Sequence, residues 1–186
     1  MKTIFFTIIC TVILFTGCNN NKATKQPGDD QNTSAVKENT QENREERNKQ
    51  IALQCIHAWS SGNVDEIVSH LAANTVDYGD GSTPPARGID TVKMFINMWR
   101  FAVNEYKSSN EISVADSDYV FIYADWSGSF KNDFMGMKTA GKSFKFKDVD
   151  IFKFNDEGKV TEHRAVLFST FLRGFASETN KFRKQQ

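Results

Sequence analysis

The spacing of hydrophobic residues changes period near the middle of this chain. Between about Arg44 and Ser61, Ile51, Leu53, Ile56 and Trp59 recur near helical spacing, which predicts an amphipathic helix. Ser60-Ser61-Gly62 stops it, with Gly62 suited to a left-handed cap. Asn63 can cap a second, short helix carrying Ile67, Val68 and Leu71. Thr75-Val76-Asp77-Tyr78 reads as a short strand, and Gly79 to Pro85 as a turn-rich loop. Asp90 starts a third helix with Val92, Phe95, Ile96, Trp99 and Val103 as its apolar stripe.

From Tyr106 the period moves toward two. Glu111 to Ala115 reads as a strand, and Tyr119 to Phe130 as a long one with Val120, Ile122, Ala124, Trp126 and Phe130 on one face. Asn132 to Gly141 connects it to the next strand. From Lys142 to Phe154, Phe144, Phe146, Asp148, Asp150, Phe152 and Phe154 face one way, and Lys145, Lys147, Val149, Ile151 and Lys153 the other. Asn155 to Gly158 is a hairpin turn, and Lys159 to Leu172 the predicted last strand. Helices first and antiparallel strands after them predict an α+β domain, with helices packed on one face of a curved sheet.

The two ends fit neither period. Met1-Lys2 followed by the apolar run Ile4 to Phe15 has the layout of a secretory signal peptide, and the run is too short for a comfortable membrane span. Asn19 to about Lys49 is polar and charged, which predicts a disordered tether. The expected organisation is a signal over 1–17, a tether over 18–47, a folded domain over 48–176 and a tail over 177–186.

Composition narrows the function. Lys plus Arg number 23 and Asp plus Glu 23, so the net charge is zero and gives no electrostatic case for nucleic acid. Of the three Cys, Cys10 lies in the signal and Cys18 directly follows it, which leaves Cys55 as the body's thiol, unpaired and beside Leu53, Ile56 and Trp59. His57, His70 and His163 are far apart, and no His or Cys spacing predicts a metal site or another cofactor. Sixteen Phe give a modest domain a large aromatic content.

Two resemblances follow from particular residues. Phe15-Thr16-Gly17-Cys18 resembles the lipobox of bacterial lipoproteins. It implies cleavage before Cys18, a lipid on its sulfur, and a location in the bacterial cell envelope, anchored to the membrane. Trp59 with Ser61-Gly62-Asn63, and Arg87-Gly88-Ile89-Asp90 entering the third helix, resemble the nuclear transport factor 2-like superfamily. Asp133-Phe134-Met135-Gly136, Thr139-Ala140-Gly141-Lys142, Val149 to Phe154 and Gly158 to His163 resemble its SnoaL-like polyketide cyclase branch. This resemblance covers about Asn48 to Ala176. It implies a cone in which a bent sheet wraps helices around a pocket, often dimerised through the outer sheet face. In cyclase-like relatives the last strand continues from the Glu-His position with a Trp and then a proton-transferring acid. Here Arg164 stands where the Trp is expected and Phe168 about where the acid is expected.

The candidate bases are therefore Asp150 and Asp77. Asp150 shares a strand face with four Phe and needs a partner there, with Arg164 on the adjacent strand as the expected one. That pair reads as a ligand clamp or as a structural ion pair. Asp77 is a base or a turn residue. Trp59, Tyr78, Trp99, Trp126, Phe130, Phe134, Phe152, Arg164 and Phe168 are the candidate ligand contacts, and the aromatic ones also read as core. His163 alternates away from Arg164, which predicts a surface or interface position. The leading expectation is a lipid-anchored protein whose cone binds a small apolar ligand without robust catalysis. The alternatives are a cyclase- or isomerase-type enzyme acting on a small carbonyl compound, and a protein-interaction or dimerisation module.

Overall fold

In the computed structural model residues 30–183 are described, with side chains from 40 to 177. The signal segment and Cys18 lie outside the described residues. Helix α1 (Asp30–Ser61) begins inside the expected tether, so that segment is helical from Asp30 onward. A helix can extend beyond its packed part without burying anything, because elongation needs only one further hydrogen bond per residue once a nucleus exists. The packed part carries Ala52, Cys55, Ile56 and Ala58, all buried. Gly62 ends it at a φ of +78°, and the Asn63 side chain accepts from Asp65 N at 3.0 Å to start the single turn of α2 (Val64–Ile67).

A six-stranded sheet follows in the order β2-β1-β6-β5-β4-β3. Its strands are β1 (Leu71–Asp77), β2 (Ala86–Arg87), β3 (Val103–Asp116), β4 (Tyr119–Phe130), β5 (Ser143–Phe154) and β6 (Val160–Ala165). Between β2 and β3 lies α3 (Ile89–Ala102), which buries Val92, Ile96, Trp99 and Ala102. All neighbouring strands are antiparallel except β1 and β6, which run parallel. Val120, Ile122, Ala124, Trp126 and Phe130 of β4 all point inward, as their alternation predicts. Lys147 and Lys153 of β5 lie outside and pair with Asp125 and Glu162.

The expected last strand is half strand and half helix. β6 stops at Ala165, and α4 (Phe168–Arg183) follows. Phe168, Phe171, Leu172 and Phe175 pack against the aromatic core from one face of α4. Their i, i+3, i+4, i+7 spacing is that of a helix. The described residues thus form four helices, one of a single turn, with a curved sheet whose inner face is lined with aromatic rings.

Candidate functional site

Three acidic residues and one histidine meet on the inner face of the sheet. Asp148 and Asp150 come from β5, His163 from β6 and Asp77 from the end of β1. Alternation along β5 puts both Asp on the Phe side, where they are 2% and 6% exposed. His163 Nε2 lies 3.1 Å from Asp150 Oδ1, and His163 Nδ1 lies 3.2 Å from Asp77 Oδ2. Trp126 Nε1 donates to the second oxygen of Asp150 at 3.3 Å. The first oxygen of Asp77 accepts from Gly79 N at 2.8 Å and so shapes the loop after β1. Asp77 therefore both shapes the turn and pairs with His163.

His163 corrects the sequence reading twice. It is half-buried on the inner face of the sheet rather than at a surface or interface, and it takes the partnership with Asp150 that Arg164 was expected to hold. The cause is register. Phe154 pairs with Val160, but Lys153 pairs with Glu162, so Thr161 is an extra residue in β6. Continuing the first pairing would have set Arg164 opposite Asp150. The bulge slides β6 by one, and a slip of one residue exchanges the two faces of a strand. Ala165 now faces Asp150, His163 faces Phe152 and Arg164 faces Ile151. Arg164 is exposed and lies 4.2 Å over the Tyr78 ring, so those two candidates meet outside the aspartate cluster.

The electrostatics follow from this packing. Burial alone would push the His163 imidazole down, but the Asp77 charge and the bonds to Asp150 and Asp77 outweigh it and raise it to about 10. At neutral pH His163 is a cation between two carboxylates. Burial likewise opposes ionisation of Asp77, yet His163 and the Gly79 N–H hold it below its ordinary value. Asp148 differs. Its Oδ1 accepts from Val149 N and Leu167 N, both at 2.7 Å, but burial and the charge of Asp150 raise its carboxyl to about 6. Both backbone bonds go to Oδ1, which leaves Oδ2 outside them. Asp148 was legible only as one of two inward-facing acids, and its role rests on the Leu167 contact, which the expected long strand hid.

The aromatic candidates form one cluster beside this site. Trp99 lies at its centre, with ring centroids 5.3 Å from Tyr106, 5.9 Å from Phe130, 5.3 Å from Phe134 and 5.1 Å from Phe168. Tyr106 stacks on Trp126 at 4.6 Å and meets Trp59 edge-on at 5.6 Å. Phe152 lies 4.9 Å from the His163 ring. Phe168 therefore belongs to the cluster, but from α4 rather than from the last strand. Gly128 leaves room for the Phe144 ring, which lies 5.0 Å from Phe130 in the same cluster, because a Cβ there would stand 2.8 Å from Phe144 Cζ. Cys55 is buried, which pushes its thiol up to about 12 and makes it unreactive. Among the described residues no group of His, Cys, Asp and Glu is arranged to hold a metal ion.

Comparison with known proteins gives this architecture its relatives. The family model described as SnoaL-like polyketide cyclase matches residues 49–167. A structure from Xanthomonas campestris, named as a candidate polyketide cyclase, superposes with a TM-score of 0.65 at 14% identity, covering 73% of this chain and 98% of that one. One from Jannaschia, named as a candidate SnoaL-like polyketide cyclase, gives 0.59 at 19% identity over 65% and 85%. AclR from Streptomyces galilaeus, named as a candidate hydroxylase, gives 0.57 at 23% identity over 66% and 79%. These likenesses establish the cone fold alone. A comparison with curated proteins finds no match.

Proposed function

The chain belongs to the SnoaL-like polyketide cyclase family, and from that premise we propose that its cone binds a small, mostly apolar molecule without robust turnover. The observation that carries this reading is the state of Asp150. Both of its oxygens are engaged, one by His163 and the other by Trp126. A general base must accept the substrate's proton within hydrogen-bond reach. With a donor already on each oxygen, Asp150 would have to give up one of these bonds before it could reach a substrate proton. Asp77 is engaged in the same way, by His163 and Gly79. The surrounding rings remain able to hold apolar surface. The experiment is a screen of small ketones and esters against the purified chain, read by both binding and product formation. Binding without product is expected. Turnover abolished by Asp150→Asn, with folding and binding retained, would overturn the reading.

One observation favours a second reading. A carboxyl near 6 with one oxygen outside its backbone bonds has the properties of a general acid or base at neutral pH. If the domain is a cyclase- or isomerase-type enzyme, Asp148 is its base. Turnover would then disappear in Asp148→Asn.

We also place the protein in the bacterial cell envelope, anchored through a lipid on Cys18. The motivation is the apolar run ending in Thr16-Gly17-Cys18. Cys18→Ala should leave the precursor unprocessed. If the variant matures and fractionates with membranes like the parent, the anchor is refuted.

A further inference from the structure

The Trp99 indole is a buried donor without an acceptor. The residue is 6% exposed, and its Nε1 has no hydrogen-bond partner among the described residues. Its surroundings explain why. Tyr106, Phe130, Phe134 and Phe168 meet it at 75° to 84°, so the neighbours are ring faces and edges. N–H contacts to a ring face are second-order, whereas an unsatisfied buried donor is a net cost to the fold. Trp126, by contrast, spends its N–H on Asp150. A Phe at position 99 would fill a purely apolar cage without that penalty.

One wall of the cage comes from a helix that follows the sheet: Phe168 meets Trp99 at 5.1 Å, and Phe171 lies behind Phe168 at 6.1 Å. Phe168 and Phe171 come from α4. Phe171 stacks on Phe146 with centroids 4.2 Å apart, and Phe175 reaches Phe130 at 5.3 Å. Among the described residues α4 makes no backbone hydrogen bond to the sheet. Polar contacts reach it just before its start, where Leu167 N donates to Asp148, and along its first turns, where Ser169 bonds to Asp80, Arg173 faces the Asp80 charge and Lys142 lies 6.0 Å over the Phe175 ring. Where it meets the cage, the helix presents flat side chains that a flat ligand could replace.

We propose that Trp99 Nε1 is the polar contact of the ligand seat, and that Phe168 and Phe171 of α4 occupy that seat until a ligand displaces them. The ligand is a flat apolar molecule carrying one oxygen that accepts the indole hydrogen bond. This rests on the binding reading above and adds to it the residue that selects an acceptor and the element that competes with the ligand.

The test uses Prodan, a fluorescent naphthyl ketone, with the hydrocarbon ethylnaphthalene as its acceptor-free counterpart. The full chain is isotope-labelled so that the indole N–H resonances of its three Trp are seen separately, with Trp99→Phe identifying one of them. Prodan should move the Trp99 resonance downfield, and ethylnaphthalene should not. Phe168→Ala/Phe171→Ala should bind Prodan more tightly than the parent. Trp99→Phe should bind it about five- to tenfold more weakly, the usual scale of one hydrogen bond. The parent resonance alone decides the donor role if the double variant does not fold. Prodan binding with an unmoved Trp99 resonance overturns this proposal and leaves the binding cone standing. No binding by parent or folded variants overturns both.

Discussion

Replacing His163 by Leu removes the cation between Asp77 and Asp150, and the expected loss can be worked from the geometry. At about 3 Å and an effective dielectric constant near 20, each contact has a gross attraction of about 5 kcal/mol. Burying the three groups offsets most of that, and breaking a buried ionic cluster from one side costs about 3–5 kcal/mol. Asp77 has a side chain 34% exposed and can rehydrate, while Asp150, at 8%, cannot. One carboxylate is therefore stranded, which puts the expected loss near about 3 kcal/mol. The pH dependence has a definite sign. His163 is raised from 6.5 to about 10. Its contribution is complete below the unfolded value near 6.5 and is lost as pH rises through about 10. Urea unfolding of parent and variant should therefore differ most at about pH 6 and least at about pH 10. A difference under about 1 kcal/mol at the lower pH, or one that does not change with pH, would refute the buried-cation account.

The opposite sign is expected at Asp148. Its carboxyl is raised from 3.8 to about 6, so ionisation burdens the fold above about 6 and the burden fades as pH falls toward 3.8. Asp148→Asn keeps an acceptor for Leu167 N and should be more stable than the parent at neutral pH by about 1–2 kcal/mol, with the gap closing in acid; urea unfolding at the two pH values checks it. Gly128→Ala drives a Cβ to 2.8 Å from Phe144 and 3.2 Å from Asn104 O, and overpacking of that kind should cost about 1–3 kcal/mol in the same assay. Ile112 and Val114 are 65% and 59% exposed on the outer sheet face, beside Tyr119 and Phe121, which supports pairing with a second copy. Ile112→Lys should shift sedimentation toward the monomer, and a parent that is already monomeric would refute that pairing.

The layout of the fold was legible wherever one period ran uninterrupted. Tyr119 to Phe130 has the predicted bounds, and β5 begins one residue later than predicted. The first half of β3 was hidden because Glu105 and Asn110 take positive φ and its register shifts twice, which breaks the alternation. α4 was hidden because Gly158 announced a hairpin and no breaker separates Ala165 from Phe168. The helical spacing of Phe168, Phe171, Leu172 and Phe175 was present in the sequence all the same. Asp150 and Asp77 were legible as inward or loop-shaping acids. What bound them together was not, since a bulge at Thr161 decides whether Arg164 or His163 reaches Asp150, and nothing in the residue types there announces it.

The most direct measurement is the protonation of His163 in the folded chain, followed by nitrogen NMR of its ring across pH. The account predicts that both ring nitrogens stay protonated through about pH 8 and that the ring titrates near 10. Loss of that proton near the ordinary value of 6.5 would contradict it. A neutral ring carries a single N–H and cannot donate to both Asp77 and Asp150, so one carboxylate would be left free to accept a substrate proton.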